Sequence, residues 1–152
     1  MPSPHSKNPE VRLQDILENI QAVREFTAGM DLNQFSVDRR TLYAVVRALE
    51  IISEATRRLP EDSKFRHPEI DWVAVAAAGN IYRHEYEGVD ERLIWKTLQT
   101  DLEPLEAVAR AELEFMKEAR RQSDAVAHSE SAKEDQDFID SSSARPRSDE
   151  NS

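Results

Sequence analysis

Apolar residues recur along this chain at intervals of three and four, the spacing that places them on one face of an α-helix. The first such stripe predicts a helix over residues 10–28, because Pro9 suits a first helical turn and Gly29 suits a C-terminal stop. Its apolar positions are Leu13, Ile16, Leu17, Ile20, Val23 and Phe26.

A second stripe predicts a long helix that ends at Pro60. A connection over residues 31–35 precedes it, and Ser36 is its expected N-cap. The apolar positions of this helix are Leu42, Val45, Val46, Leu49, Ile52 and Leu59.

A polar segment over residues 61–70 is predicted to be a loop. His67 lies in it and precedes a proline, so its backbone is expected to be extended. We interpret His67 as a loop histidine and not as a ligand. Asp71 is the expected cap of a third helix, which runs from about Trp72 to Glu85.

The last apolar stripes predict a fourth helix, capped by Asp90, and a continuation beyond it. Pro104 removes a backbone donor, so we expect a bend or a break there. Asp101 is then a candidate cap for the continuation, whose apolar positions extend to Met116. The helical pattern fades after about Arg121.

Taken together, these stripes predict an all-α fold, an up-and-down antiparallel bundle of four to five helices. Residues 1–8 are predicted to be a disordered leader and residues 9–121 a single helical domain. Residues 122–152 have low hydrophobicity and much charge, which predicts a disordered acidic tail.

Composition narrows the classes of function. The chain of 152 residues has a net charge of −10, which argues against nucleic-acid binding through a broad basic face. Half of that charge lies in residues 122–152, which hold eight acids and three bases. A small, locally basic site in the helical domain therefore stays compatible with the charge.

The absence of cysteine excludes disulfides and suits a reducing cytoplasm, and no apolar run has the roughly 20 residues of a membrane helix.

One window of eight residues, Gly79 to Tyr86, concentrates groups that can do chemistry. It contains an amide, a guanidinium, an imidazole and two phenols. The alternative is that this window is only the polar end of an amphipathic helix, with a solvated histidine. In that case the protein is a helical structural protein.

Helical spacing places Asn80 and His84 on one face, because residues four apart are neighbours on a helix. Arg83 is turned away from that face by about 100°. An imidazole can take the proton of a ribose 2′-hydroxyl, and a cation can stabilise charge on the attacked phosphate. This set suits RNA cleavage without a metal or another cofactor. A second imidazole would have to come from a symmetric partner.

Arg47, Glu50 and Glu54 share one face of the second predicted helix. We favour a surface ion-pair ladder for this trio. The alternative is that Arg47 points into a shared polar site, where it would supply an auxiliary cation.

The chain from about Val11 to Leu113 resembles the HepT-like ribonuclease family of the wider HEPN superfamily. Five segments carry the resemblance, and their combination in this order is specific. They are Leu13–Leu17, Leu49–Ala55, His67–Trp72, Asn80–Asp90 and Ile94–Trp95.

This resemblance implies a helical, usually dimeric protein that forms the toxin half of a bacterial toxin–antitoxin pair. The family motif is Arg, four residues, His, one residue, Tyr, commonly with Asn after the Arg. By position, His84 then matches the catalytic His, Asn80 the accompanying Asn, and Tyr86 the residue to which a nucleotidyltransferase antitoxin of the MntA type attaches AMP. The catalytic Arg position falls on Gly79, and Arg83 is not a simple replacement.

Two hypotheses follow from the sequence. One is an endoribonuclease toxin in which His84 is the acid/base and Tyr86 the regulatory AMP acceptor. The other is a weakened or inactive binding protein on the same fold, because Gly79 supplies no cation.

Overall fold

A computed structural model of the protein describes residues 8–84 and 90–143, and within 81–84 it describes the backbone only. Seven helices occur in these ranges: α1 (Pro9–Thr27), α2 (Leu32–Val37), α3 (Arg39–Arg57), α4 (Glu61–Phe65), α5 (Trp72–His84), α6 (Glu91–Thr100) and α7 (Leu102–Ser143). The described ranges contain no strand, so the predicted all-α, HEPN-like class is confirmed. Five helices are ten residues or longer, and the short α2 and α4 are additions to the predicted set.

The core is built mainly on α3, which packs against both α1 and α5. The predicted stripes supply most of its side chains, although Phe26 and Leu93 are exposed. The largest fully buried side chains are Phe35, Leu13, Ile16, Ile20, Ile94, Val23, Val45 and Thr56.

The ends of α1 agree with the sequence. Pro9 begins the helix and the Asn8 side chain caps it by accepting a hydrogen bond from the Glu10 N–H at 3.0 Å. Gly29 follows the last turn with a φ of +74°, a left-handed conformation that a residue without a Cβ adopts at low cost.

The expected connection over residues 31–35 is wrong, because the short helix α2 occupies most of it. Asp31 caps α2 in a reciprocal arrangement: its side chain accepts from Gln34 N at 2.8 Å, and the Gln34 side chain accepts from Asp31 N at 2.9 Å. Ser36 is correspondingly not the N-cap of the next helix. Its hydroxyl donates to the Leu32 carbonyl within α2, and Asp38 caps α3 instead.

The predicted loop over residues 61–70 also begins with a helix. Five residues form α4 directly after Pro60. Glu61 and Asp62 lie in its first turn, where negative charge complements the helix dipole. The rest of the segment is irregular, as expected, and leads to α5.

The predicted caps of the third and fourth helices are confirmed. The Asp71 carboxylate accepts from Ala74 N at 3.0 Å, and the Asp90 carboxylate accepts from Arg92 N at 3.0 Å. The described part of α5 ends at His84. The predicted last residue of that helix, Glu85, and the turn that follows it lie outside the described residues.

Pro104 does not break a helix, contrary to expectation. The interruption falls earlier, at Asp101, where α6 ends with a hydrogen bond from Asp101 N to the Thr97 carbonyl at 2.9 Å. Pro104 is the third residue of α7, and a backbone N–H there would have no partner inside the helix. The proline therefore costs little, and Asp101 stands directly before the continuation, the position at which it was expected to cap it.

The chain consists of two compact units, Met1–Glu114 and Phe115–Ser152. In the second unit α7 continues to Ser143, beyond the fading of the pattern expected after Arg121. Residues 105–143 contain neither Gly nor Pro, and side-chain pairs four apart support the helix, as in Gln122 with Glu118. All residues from 118 to 143 are exposed, and the domain boundary at 121 stays a prediction. None of the described helices is long and apolar enough to span a membrane.

Candidate functional site

The candidate window lies at the C-terminal end of α5, which crosses α3 in the antiparallel sense. Two contacts establish this direction. Near the end of α3 the Arg57 guanidinium donates to the Ala76 carbonyl at 2.9 Å, and one turn earlier Ser53 contacts Gly79. Residue numbers therefore fall along α3 as they rise along α5.

Ser53 joins the two helices through its hydroxyl. This side chain is buried, with 2% of its surface exposed. Its Oγ accepts a hydrogen bond from Gly79 N at 3.0 Å and lies 2.9 Å from the Val75 carbonyl and 2.8 Å from the Ala76 carbonyl. A hydroxyl donates one proton, so it donates to one of the two carbonyls at a time.

Gly79 is required by this contact. A Cβ built on Gly79 would lie 2.6 Å from the Ser53 Oγ and 2.7 Å from the Ser53 Cβ, closer than packed atoms tolerate. The next atom is the Glu50 Cα at 3.9 Å, an ordinary distance. The missing side chain at position 79 is thus explained by one neighbour, which the sequence alone did not identify.

The last turn of α5 lies alongside the middle of α3. From Ser53 back to Arg47 is about 9 Å along the helix axis, and from Gly79 on to His84 is about 7.5 Å, at 1.5 Å per residue. The antiparallel crossing therefore brings the backbone of His84 to the section of α3 that carries Arg47 and Glu50. Tyr86 lies outside the described residues.

Arg47 and Glu50 form an ion pair, with Arg47 Nη1 3.2 Å from Glu50 Oε2. The Arg47 side chain is 71% exposed, whereas that of Glu50 is 17% exposed. Glu54 pairs with Arg57 and Arg58 instead. The face carries ion pairs as predicted, and the Arg47 guanidinium stays accessible to a ligand.

Asn80, the residue that follows Gly79, is exposed to solvent. Val73, Ala77 and Asn80 follow one helical face, and the position of His84 is next on it. Asn80 also lines an open groove of about 1230 Å³. Other residues that line it include Arg57, Lys64, Phe65, Trp72 and Val73. The register of α5 therefore places the His84 position one helical turn beyond Asn80 on the same face.

A cluster that sequence reasoning missed links the segment after α4 to α7. Glu112 is buried, with 2% of its surface exposed, and its carboxylate is bonded to Arg66 through both oxygens and to His67 Nε2 at 3.0 Å. His67 Nδ1 is 3.3 Å from Glu69. His67 lies in a loop, as predicted, and its ring contacts both Glu69 and Glu112. Only the apolar surroundings of Glu112 in the stripe of α7 could have signalled the cluster.

The electrostatics of Glu112 follow from these bonds. Burial by itself raises the pKa of the Glu112 carboxyl, but hydrogen bonds from Arg66, His67 and Ser63 outweigh it, so the pKa lies below its usual value. Glu112 is consequently held as a carboxylate. Across the parts of the chain that the structure describes, no group of three or more acidic or histidine side chains is arranged to hold a metal ion.

Comparison with known proteins points to one family. The sequence model of the family described as ribonuclease HepT-like matches residues 16–112. The protein named "Probable ribonuclease HepT" from Thermococcus cleftensis is 44% identical over 93 residues, which cover 61% of this chain and 84% of that protein.

Two relatives from a second organism are named as putative RNases. "Putative RNase MJ1380" of Methanocaldococcus jannaschii is 41% identical over 90 residues, which cover 59% of this chain and 83% of that protein. "Putative RNase MJ0127" of the same organism is 37% identical over 89 residues, covering 59% of this chain and 74% of that protein. No solved structure gives a significant match. The matched region contains the α3–α5 crossing and the candidate window.

Proposed function

Because this chain belongs to the HepT-like ribonuclease family, we propose that it is an endoribonuclease that cleaves RNA without a metal ion. The observation that supports this most directly is the register of α5, which places Asn80 and His84 four residues apart on one helical face. The same helix end runs beside the accessible cation Arg47.

In the proposed reaction, His84 takes the proton of a ribose 2′-hydroxyl. The 2′-oxygen attacks the adjacent phosphorus, and the bond from phosphorus to the 5′-oxygen breaks. The 5′-oxygen receives a proton from a second imidazole, which the His84 of a second copy of the chain supplies in a C2 dimer. The products are a 2′,3′-cyclic phosphate and a free 5′-hydroxyl.

Asn80 and Arg47 serve this reaction in different ways. The Asn80 amide orients the phosphate or holds the imidazole, since it stands one helical turn before His84. Arg47 stabilises the charge that builds on the phosphoryl oxygens, a role that is worth a few kcal/mol for one well-placed donor. Arg83, which is turned about 100° from His84, assists as a nearby positive charge. Arg47 thus replaces the cation that Gly79 lacks.

We propose in addition that the protein is the cytoplasmic toxin of a toxin–antitoxin pair. Its partner is then a nucleotidyltransferase antitoxin of the MntA type, which transfers AMP from ATP to the Tyr86 hydroxyl and releases pyrophosphate. The attached AMP is a bulky anion two residues from His84. Its negative charge would repel the RNA phosphate. Coexpression with that enzyme should add one AMP mass to wild type and none to Tyr86→Phe.

The test of the proposed activity is RNA cleavage by the purified protein in the presence of EDTA. Wild type should release 2′,3′-cyclic phosphate ends, and His84→Ala should abolish them. His128→Ala is the matched control, because His128 is exposed on the second unit and should leave the rate unchanged. RNA that stays intact at high concentrations of wild-type protein contradicts the proposal.

A second candidate function is a non-catalytic binding protein on the same fold. Gly79 favours it, since glycine supplies no cation at the family's Arg position. Such a protein would bind RNA or the nucleotidyltransferase without turnover. Retention of labelled RNA by wild type, with no cleavage products after long incubation, would support this function over the first.

A further inference from the structure

The contact between Ser53 and Gly79 has the features of a positioning device. The contact lies inside the α3–α5 crossing, where Ser53 is 2% exposed. Gly79 precedes His84 by five residues in the sequence. The Ser53 hydroxyl meets three backbone groups of α5: one N–H and two carbonyls. These contacts act on both the depth and the register of α5 against α3.

The two atoms that exclude a side chain at position 79 both belong to Ser53. A Cβ on residue 79 would meet the Ser53 Oγ at 2.6 Å and the Ser53 Cβ at 2.7 Å, and then nothing closer than 3.9 Å. The crossing therefore has room for one side chain, contributed by α3 or by α5. Removal of the Ser53 side chain would leave space for one on residue 79.

We infer that residues 53 and 79 form one coupled packing pair, and that Ser53 is a positioning residue that holds the His84 turn of α5 beside Arg47 and Glu50. This inference rests on the proposed function for its catalytic consequence, but the packing does not depend on it. A side chain at position 79 pushes α5 away from α3, and the His84 turn moves with it. A displacement of about 1 Å in a catalytic group can cost about 100-fold in rate.

Four variants test the pair: Gly79→Ala, Ser53→Ala, Ser53→Gly, and the double variant Ser53→Gly/Gly79→Ala. We expect Gly79→Ala to lower kcat by about 100-fold, because the His84 turn moves with α5. Ser53→Ala keeps the close approach and loses only the hydroxyl, so its loss should be smaller. The double variant should recover most of the lost kcat, because it again leaves one side chain at the crossing.

A second readout follows His84 directly and needs no activity. The chain has four histidines, so the His84 imidazole resonance can be assigned by its absence from the spectrum of His84→Ala. It should shift in Gly79→Ala and return towards the wild-type position in the double variant. Ala74→Ser, which adds one atom on an exposed position of α5, should leave it unchanged.

The outcomes are distinct. If the double variant keeps both the low kcat and the shifted resonance of Gly79→Ala, residues 53 and 79 are not coupled and the inference is wrong. If Gly79→Ala leaves the His84 resonance in place, Ser53 is not a positioning residue. If His84→Ala cleaves RNA as well as wild type does, the proposed function fails, and the imidazole spectra still decide on the pair.

Discussion

The buried carboxylate of Glu112 in α7 is bonded to the guanidinium of Arg66, a residue that precedes it by 46 positions. The Arg66 side chain is 37% exposed and that of Glu112 is 3% exposed. The pair ties the segment before α5 to the long helix α7. Because Asp71 and Trp72 begin α5 directly after that segment, the same bond helps to fix where α5 starts.

Removal of Arg66 should destabilise the fold substantially. Arg66→Ala leaves Glu112 buried without its main partner, which typically costs about 3 kcal/mol. Chemical denaturation should detect this loss. Arg121→Ala is the matched control, because Arg121 and Glu118 form an exposed pair at 3.0 Å whose expected worth is under about 1 kcal/mol. Equal effects of the two substitutions would contradict the assigned role of Arg66.

The same carboxylate predicts a pH dependence of stability. The pKa of Glu112 is lowered on folding, with burial opposing the shift and the bonds from Arg66, His67 and Ser63 driving it. The stabilisation is therefore present above the unfolded pKa, about 4.3, and is lost as the pH falls through the lower folded pKa. Thermal melts from pH 7 to pH 3 should show the difference in Tm between wild type and Glu112→Gln shrinking below about pH 4. A constant difference would mean that Glu112 does not titrate as the structure indicates.

Introduction of an arginine at position 79 should destabilise the fold unless residue 53 is changed as well. Gly79→Arg places a Cβ against the Ser53 side chain, and overpacking of this kind costs about 2 kcal/mol. The double variant Ser53→Gly/Gly79→Arg should regain most of the lost stability, as measured by denaturant melts. If Arg47 already supplies the cation, RNA cleavage by the double variant should match that of wild type. A large gain would instead show that the native site lacks a cation.

Substitution of Arg47 should impair the chemical step. Arg47→Ala removes the proposed phosphate cation and should lower kcat by about 100-fold, with little effect on Tm because the Arg47 side chain is 71% exposed. Arg40→Ala is the control, since Arg40 is also an exposed arginine of α3 but lies at its N-terminal end. Similar rates for both variants would exclude Arg47 from the site.

The last part of α7 should contribute little to the stability of the first unit. Residues 118–143 are exposed throughout, so truncation after Arg121 removes no buried side chain among them. The Tm should change by less than about 2 °C. Far-ultraviolet circular dichroism of the two chains gives the helicity of the removed segment, which local pairs support by only about 0.2–0.5 kcal/mol each. A fall of 10 °C or more would place the domain boundary beyond residue 121.

Much of the fold could be predicted from the local pattern. The periodic stripes of α1 and α3 predicted the core, and Asp71 and Asp90 predicted the first residues of their helices. Both signals can be read from the sequence because capping and amphipathicity act over only a few residues. The short helix α2 was missed because Asp31 and Gln34 form a reciprocal cap without an obvious apolar stripe. Pro104 was misread because its effect depends on where a helix begins, which propensity alone does not fix.

The sequence by itself determined the helical class, the family resemblance, and the place of Asn80 and His84 on one face of one helix. These properties depend on periodicity and on the order of nearby residues. The tertiary structure explained why residue 79 is a glycine. In the linear motif Gly79 stands at the position of the family's arginine, and in the fold it makes a close helix contact with Ser53. The tertiary structure also decided that Glu112 meets Arg66 and His67. Such partners lie 26 to 46 residues apart, and only the packing of whole helices brings them together.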